Sequence, residues 1–249
     1  MALLEAHQLH QRFGRQIVLD GVSLSFEQGT LSGIIGPNGA GKTTCFNVLT
    51  GRYRPQRGRV VFDGADITGE SPSTIARRGI ARSFQLMNLF DALSVIDNVI
   101  VAMPALRRRA FRPFGAVRRD SELHARAAEL LTDVGLSGKA HAQARDLAYG
   151  DRRRLEIAVA LAAEPRLLFL DEPTAGMGLE GARQLTALIE RLRARVTLVI
   201  IEHDMPFLFA LADRISVIQW GQVIAEGSPE ELRTDPWVAR SNLGAIAPC

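Results

Sequence analysis

The amino-acid sequence predicts an α/β fold with a mainly parallel sheet, an N-terminal antiparallel β subdomain and an inserted helical lobe. Short apolar runs such as "LSGII" alternate with helical patterns, which is typical of a parallel sheet with crossover helices. Residues 18–26 instead alternate apolar and polar side chains, as half-buried antiparallel strands do. Between residues 91 and 134 a helical period replaces the strand patterns, which indicates the lobe.

The N-terminal third supplies the first predicted elements. The alternation over 18–26, with turns at "DG" and "EQGT", predicts antiparallel strands, and "LSGII" predicts a short buried strand. "CFNVLTG" predicts a helix that ends at Gly51, because glycine is the usual residue after a helix C-terminus. "GRVVFDGADI" predicts a strand and a turn, and "GIARSFQ" predicts a strand that ends at Gln85.

The lobe and the C-terminal third follow. The clearest helix of the lobe is "SELHARAAELLTDVGL", whose apolar stripe consists of Leu123, Ala127, Leu130, Leu131 and Val134. After residue 163 come the strand "RLLFL", a helix over 179–193, the strand "VTLVII" and a hairpin about Gly221. Ser228, Pro229 and Glu231 predict the capped start of a terminal helix. We therefore expect one domain over 1–249, with a core of 1–90 and 164–249 and a lobe of 91–163.

Composition narrows the class of protein. The chain is 47% hydrophobic and 23% charged, and no apolar run approaches the roughly 18 residues of a membrane span. The N-terminus lacks the apolar region of a signal peptide, and Cys45 and Cys249 match no metal or redox spacing, so we expect a reduced cytosol. The net charge of +3 is too small to indicate nucleic-acid binding. Among 30 basic residues only Lys42 and Lys139 are lysines.

The stretch "LAYGDRRRLEIA" places three arginines in the first turn of a helix that we expect to begin at a hinge near Gly150. Leu155, Ala158, Val159 and Ala162 would form its apolar face. A helix N-terminus prefers acidic residues, so these arginines need an explanation. Either they are ordinary helix formers whose charge Asp151 and Glu156 offset, or an anion docks at this terminus.

The segment "GPNGAGKTT" fits the phosphate-binding loop pattern G-x-x-x-x-G-K-[ST], and it lies between a buried strand and a helix, as that pattern requires. Its glycines let backbone N–H groups surround phosphate oxygens, Lys42 places a charge near the β- and γ-phosphates, and the Thr43 hydroxyl can bind Mg²⁺. The core is therefore of the P-loop NTPase type. The nucleotide-binding residues of this loop are Gly36, Pro37, Asn38, Gly39, Ala40, Gly41, Lys42, Thr43 and Thr44.

Polar residues follow two further buried strands. "LLFLDEP" ends in Asp171, which suits a Mg²⁺ shell, and Glu172, which can accept a proton from an attacking water. "VTLVIIEHD" places His203 just past its strand. Each signal alone also fits a solvated strand end or a structural histidine. Ligands of open α/β sheets bind at the carboxyl ends of strands, so together the segments predict one site.

The set "GPNGAGKTT", "SFQ", "LAYGDRRRLEIA", "LLFLDEP" and "IEHD", in this order, resembles the ATP-binding subunit of ABC transporters over almost the whole chain. Within that superfamily the segments are most similar to the importer ATPases for branched-chain amino acids, with the urea and short-chain-amide systems as close relatives. The resemblance implies ATP and Mg²⁺ as ligands, a second ATP-binding subunit that is more often a paralogue than a copy, and two transmembrane permeases. It also implies a periplasmic substrate-binding protein as an indirect partner, no nucleic acid, and a place at the cytoplasmic face of the membrane.

The resemblance also implies roles for individual residues. Glu172 would be the general base, His203 the contact to the γ-phosphate, and Gln85 a sensor of the Mg²⁺ site that communicates with the lobe; Asp171, Thr43 and Gln85 would bind the metal. Phe13 would stack on adenine, although it also fits an ordinary core aromatic. Ala148, Tyr149 and Gly150 would close over the nucleotide of the second subunit, which gives the basic helix N-terminus a polyanion to face.

The chain departs from the superfamily pattern at several positions. Ala148 and Tyr149 stand where Ser and Gly are usual, a feature that the amino-acid importer branch shares. Asp151 stands where Gln is common, and we expect its charge to oppose closure slightly, so that Asp151→Gln would raise turnover. Gly178 stands where Asp or Asn is usual. Asp151 and Gly178 favour a low-turnover ATP-binding switch as an alternative function.

A basic segment with interleaved aromatics, "RRRAFRPFGAVRR" over 107–119, raises two further possibilities. It fits a nucleic-acid module or, more simply, a solvated loop of the lobe. We expect the segment to face the membrane surface, where anionic lipid attracts basic side chains.

Overall fold

The computed structural model describes residues 1–83, 89–108, 120–236 and 238. An antiparallel sheet at the N-terminus contains β1 (Ala2–Phe13), β2 (Gln16–Glu27), β4 (Arg57–Phe62) and β5 (Ala65–Asp66), in the order β2-β1-β4-β5. The predicted alternation is confirmed, since Val22, Leu24 and Phe26 are buried. Strand β1 was not predicted from the sequence, and its pairing with β2 contains register shifts.

The second sheet carries the predicted buried strands. It consists of β3 (Leu31–Ile35), β6 (Ile80–Arg82), β7 (Leu167–Asp171), β8 (Thr197–Ile201), β9 (Arg214–Gln219) and β10 (Gln222–Gly227), in the order β10-β9-β3-β8-β7-β6. Neighbours from β9 to β6 are parallel, and β10 pairs antiparallel with β9 at the edge. The hairpin about Gly221 is confirmed.

Both faces of the parallel sheet are covered, which explains the continuous apolar runs of its strands. Leu168 and Leu170 belong to the core shared with the helical lobe, whereas Leu167 and Phe169 belong to the core shared with the antiparallel sheet. The phenyl ring of Phe169 packs edge-on against Phe46 of the first helix, with ring centroids 5.5 Å apart. Successive residues of β7 therefore pack alternately against the helical lobe and against the antiparallel sheet.

The described part of the core contains five helices. They are α1 (Lys42–Leu49), α2 (Pro72–Arg77), α7 (Leu179–Leu192), α8 (Met205–Leu211) and α9 (Pro229–Thr234). Three of them were predicted and lie close to their predicted limits, whereas α2 and α8 were not predicted from the sequence. The predicted cap of α9 is confirmed: Ser228 Oγ accepts from the Glu231 N–H at 3.2 Å, and Glu231 Oε2 accepts from the Ser228 N–H at 2.7 Å. Within the described residues, none of the helices is both long enough and apolar enough to cross a bilayer.

The lobe is helical, as expected, and contains α3 (Val95–Ala102), α4 (Pro104–Arg108), α5 (Ser121–Asp133) and α6 (Tyr149–Ala162). The predicted stripe of α5 is buried throughout. Leu155, Ala158 and Ala162 of α6 are buried, and Val159 is half-buried. The lobe residues and Leu31 and Ile35 of the sheet form one apolar cluster, so the lobe packs directly on the sheet. Most of the basic segment 107–119 lies outside the described residues.

Candidate active site

The loop between β3 and α1 is fixed by glycines that have no room for a side chain. A Cβ on Gly36 would lie 2.0 Å from the Ile218 carbonyl oxygen, and one on Gly41 would lie 2.6 Å from the Val18 carbonyl oxygen. Gly41, the residue before α1, also has φ +105°, which favours glycine. The close approach to β9 and β2 holds the loop and the start of α1 at the carboxyl edge of the parallel sheet.

Lys42 is the buried cation of this loop. Its Nζ donates to the carbonyl oxygens of Gly36, at 2.7 Å, and Pro37, at 3.1 Å. Burial lowers the pKa of its ammonium, while the nearby carboxylates of Glu172 and Asp171 partly oppose that shift. Thr43, next along α1, is exposed. The structure therefore places a compact, partly desolvated charge beside a hydroxyl group and the loop N–H groups.

The carboxylates predicted from "LLFLDEP" lie at the end of β7. Asp171 is buried, and its backbone N–H donates to Ser83 Oγ at 3.2 Å. Burial and then the adjacent charge of Glu172 raise the pKa of Asp171 to about 6. Glu172 has φ +45°, a left-handed conformation that is unusual for this residue, and its N–H donates to the Ile201 carbonyl oxygen at 2.8 Å. Its partly exposed carboxylate is free to meet a water molecule.

His203 follows β8, the strand next to β7 in the sheet. Its ring is 60% exposed, and Nδ1 lies 3.9 Å from Glu172 Oε1. Because β3, β7 and β8 are neighbouring parallel strands, the loops that follow them meet at one edge. The structure thus brings together Lys42, Asp171, Glu172 and His203, as the sequence predicted.

Sequence reasoning missed Glu202, the residue before His203. Its side chain is completely buried, and its Oε1 accepts hydrogen bonds from the backbone N–H of Thr174, at 2.9 Å, and from the Thr174 hydroxyl. Its Oε2 accepts from the His203 N–H at 3.2 Å. The available signal was a second acidic residue, in "IEHD", directly after an apolar strand that ends at the same sheet edge as "LLFLDEP".

The start of α6 confirms the first interpretation of the three arginines, because Asp151 and Glu156 pair with two of them. Arg152 contacts Asp91 at 2.7 Å and the Ala144 carbonyl oxygen at 3.0 Å. The buried Arg153 contacts Glu156 at 3.0 Å, and Arg154 contacts Asp151. These side chains are thus engaged within the chain, and they neither face solvent freely nor await a polyanion.

Two expectations about α6 are corrected by the same geometry. Asp151 is buried between Lys139 and Arg154, so its charge is neutralised within the lobe and the premise for Asp151→Gln raising turnover is wrong. The helix begins at Tyr149, so Gly150 lies within its first turn and not at a hinge that precedes it. Ala148 is the N-cap and provides no side-chain hydrogen bond, so the cap leaves N–H groups of the first turn available. The Tyr149 side chain beside it is exposed.

The remaining predicted residues stand apart from this cluster or outside the described part. Phe13, at the end of β1, is 45% exposed and makes an edge contact with Tyr53, with ring centroids 5.4 Å apart, so its alternative role as a core aromatic is wrong. Gln85 lies in 84–88, outside the described residues. Gly178 is the N-cap of α7 and has open space around its Cβ position.

The residues present fit a Mg²⁺ ion bound with a nucleotide. Within the described residues no group of His, Cys, Asp or Glu is numerous enough to hold a metal ion alone. Mg²⁺ in nucleotide sites usually takes only one or two carboxylates and completes its shell with phosphate oxygens and water. A buried carboxylate with a raised pKa, such as Asp171, favours a cation beside it.

Comparison with known proteins agrees with this geometry. The family described as ABC transporter matches residues 19–175. The chain is 41% identical to the high-affinity branched-chain amino acid transport ATP-binding protein LivG of Salmonella typhimurium and 40% identical to BraF of Pseudomonas aeruginosa, which has the same description. Each match covers 97% of this chain and 98% of the relative.

Solved structures give the same result. The ADP conformation of MJ1267, an ATP-binding cassette of an ABC transporter, is 30% identical, with a TM-score of 0.85 over 98% of this chain and 99% of that one. CbiO1 from Clostridium perfringens, part of the ABC transporter complex cbiONQ, is 28% identical, with a TM-score of 0.79 over 96% of this chain and 93% of that one. The chain therefore belongs to the ABC transporter family, as an ATP-binding cassette ATPase.

Proposed function

We propose that this chain is the energy-coupling ATPase subunit of an importer for branched-chain amino acids. The single observation that carries the ATPase role is the meeting of Lys42, Asp171, Glu172 and His203 at one sheet edge. The substrate class is supported by near full-length similarity to LivG and BraF. Uptake of urea or of short-chain amides is the alternative within the same class.

The geometry supports a distinct role for each residue. Lys42 and the backbone N–H groups of the loop 36–41, other than Pro37, would hold the phosphates, and Phe13 offers an exposed ring for adenine. Thr43 and Asp171 would hold Mg²⁺, which would neutralise phosphate charge when bound. The resemblance alone adds Gln85 to this set, because Gln85 lies outside the described residues. Glu172 accepts the proton of the attacking water, and His203 contacts the γ-phosphate.

The second ATP-binding subunit completes the site in this proposal. Ala148, Tyr149 and Gly150 begin α6, whose first N–H groups lack a side-chain cap and whose Tyr149 is exposed. A helix N-terminus of this kind favours an anion, and the γ-phosphate held by the other subunit is the anion we propose. We expect a paralogue in that position.

As an ABC importer ATPase, the chain works with transmembrane permease subunits. We propose that the chain docks on these subunits at the cytoplasmic face of the membrane. An apolar cleft of about 430 Å³ lies between the core and the lobe. It is lined by Pro72, Ile75, Ile80, Ala81 and Ala160, among others. Exposed apolar clefts mark protein interaction sites, so we propose this one for a permease segment.

Reconstitution in proteoliposomes tests the function. The chain would be assembled with candidate permeases, a candidate paralogous ATPase and a candidate substrate-binding protein from the same organism. We expect Leu, Ile or Val to stimulate ATP hydrolysis and uptake, and urea or acetamide to have no effect. Stimulation by urea or acetamide alone would favour the alternative substrate class.

The same assay separates a transporter ATPase from a low-turnover switch. A switch would bind Mg-ATP but show no substrate-stimulated turnover. The matched control is Glu172→Gln, which keeps the size of the side chain and removes the proton acceptor, so stimulated turnover must disappear in that variant. The absence of substrate-stimulated ATP hydrolysis in the wild type would contradict the transport proposal.

A further inference from the structure

Glu202 ties together the loops that carry the proposed catalytic residues. Its completely buried carboxylate accepts from both the N–H and the hydroxyl of Thr174 through Oε1, and from the His203 N–H through Oε2. Its own N–H donates to the Ile34 carbonyl oxygen at 3.2 Å, so it is also tied to the strand that leads into the phosphate loop.

The turn held by Glu202 is strained at the general base. Glu172 has φ +45°, a left-handed conformation that is unfavourable for a residue with a Cβ. Such conformations persist only where the surroundings impose them. The turn closes through a hydrogen bond from the Ala175 N–H to the Glu172 carbonyl oxygen at 3.1 Å, and Thr174 inside it is bound by Glu202.

The chemistry of the carboxylate matters as well as its position. Burying a charge is costly, and Glu202 lies near the carboxylates of this sheet edge, where its charge disfavours ionised Asp171. A glutamine of the same size could accept from Thr174, but its amide group would turn a donor towards the His203 N–H. Only a carboxylate accepts on both oxygens and so holds both loops.

We propose that Glu202 is a positioning residue for ATP hydrolysis, whose carboxylate braces the turn that carries Glu172 against the loop that carries His203. This inference rests on the proposed roles of Glu172 and His203. Glu202 does not contact the nucleotide in the proposed arrangement. It fixes the distance between the base Glu172 and His203, which contacts the γ-phosphate.

Steady-state kinetics of the full chain with its partner ATPase test the proposal. In Glu202→Gln we expect kcat to fall by about tenfold to a hundredfold, because small displacements of a catalytic group have effects of this size. KM and the affinity for Mg-ATP should stay within about twofold, because the phosphate loop is untouched.

Thr174 provides milder variants if Glu202→Gln does not fold. Thr174→Val removes the hydroxyl at nearly constant volume and should lower kcat by roughly tenfold, whereas Thr174→Ser keeps the hydroxyl and should retain activity. The matched control is Thr197→Val. Thr197 Oγ1 accepts from the Gly29 N–H at 3.0 Å at the opposite end of β8, so this variant should lose stability but keep kcat.

A comparison of double variants distinguishes positioning from general destabilisation. If Glu202 acts through Glu172 and His203, adding Glu202→Gln to Glu172→Gln should lower the residual kcat by a smaller factor than Glu202→Gln lowers the kcat of the wild type. Unchanged kcat in both Glu202→Gln and Thr174→Val, or an equal factor of loss in the two backgrounds, would overturn the inference. Failure of Glu172→Gln alone to slow hydrolysis would instead contradict the proposed function.

Discussion

Each of the two lysines of this arginine-rich chain has a specific local environment. Lys42 is buried in the phosphate loop, and Lys139 contacts the buried Asp151. Lysine presents a compact ammonium, which a planar guanidinium does not reproduce. The rarity of lysine in the sequence predicted no role for either residue, and only the loop motif indicated what Lys42 does.

We expect Lys42→Ala to lose nucleotide binding. Its ammonium is partly desolvated and would face phosphate oxygens, and truncating one partner of a desolvated charge pair costs about 2–5 kcal/mol. Titration calorimetry with Mg-ATP measures the loss of affinity. The control is Lys42→Arg, which keeps the positive charge but replaces the compact ammonium by a planar guanidinium. ATP affinity close to that of the wild type in Lys42→Ala would contradict the role of the loop.

Asp151 makes the lobe more stable at neutral pH. We expect Asp151→Asn to lower the free energy of unfolding by about 1–2 kcal/mol, since it leaves Lys139 and Arg154 without their carboxylate while both remain partly solvated. Urea unfolding of the two proteins gives the difference. Lys139→Met should remove part of the same interaction, so the double variant should lose less than the sum of the single ones.

The pH dependence of that difference follows from the ion pairs. Burial by itself raises the pKa of Asp151, but the hydrogen bonds and charges of Lys139 and Arg154 together outweigh burial and leave the pKa below its ordinary value. A depressed carboxyl pKa contributes stability above the unfolded pKa of about 4, and this contribution is lost as the pH falls through the folded value. The stability gap between wild type and Asp151→Asn should therefore be full at pH 7 and shrink below about pH 4. A gap that widens with acid would contradict this account.

At the scale of elements, the sequence predicted those helices and strands that have a clear hydrophobic period or a recognisable motif. The buried strands, the stripe of α5 and the cap of α9 have such signals. Strand β1 does not: Gln8 has φ +49°, and register shifts with β2 follow Ala6 and Leu9, so its buried side chains do not alternate regularly. A regular pattern could not reveal a strand whose bulges interrupt it.

The part of the candidate site that lies at the ends of parallel strands could be predicted from the sequence. Lys42, Asp171, Glu172 and His203 follow parallel strands, so topology alone brings them together. Within α6, Asp151 and Glu156 were predicted to offset the arginine charges and do so. The pair of Arg152 with Asp91 was not predictable, because the two residues are 61 positions apart and a helical pattern carries no information about such a partner. Glu202 was missed because its role depends on Thr174, which another loop supplies.

The helix α7 offers a test at its N-cap. Gly178 has φ −75°, ψ 173° and open space at its Cβ position, so Gly178→Asp fits without strain. An aspartate there can accept from first-turn N–H groups that lack a side-chain cap, and it should stabilise the protein by a few tenths of a kcal/mol, roughly the usual gain over glycine. Thermal unfolding measures the shift, with Gly178→Ala as the control without an acceptor. A lower melting temperature for Gly178→Asp than for Gly178→Ala would contradict the prediction.

At the scale of the whole molecule, the proposal requires two chains to form one site. If closure over ATP is released by hydrolysis, Glu172→Gln should accumulate a nucleotide-bound dimer. Its turnover should fall by about 10²- to 10⁴-fold, the usual effect of removing a general base, while Lys42 and the loop N–H groups still bind ATP.

Size-exclusion mass in Mg-ATP, for this chain alone and with its paralogue, measures that dimer. A dimer with the paralogue only would identify a mixed pair, and a dimer of the chain alone would show that it can pair with itself. The absence of an ATP-dependent dimer in both cases, together with undiminished turnover, would contradict both the base and the two-chain site.

The left-handed backbone of Glu172 has a consequence for directed evolution. Asparagine tolerates this conformation better than glutamate does, so Glu172→Asn should relieve part of the backbone strain while removing the base. A selection for heat resistance alone would then enrich inactive proteins at this position. Libraries built to stabilise this ATPase should keep codon 172 fixed, or screen every thermostable clone for turnover.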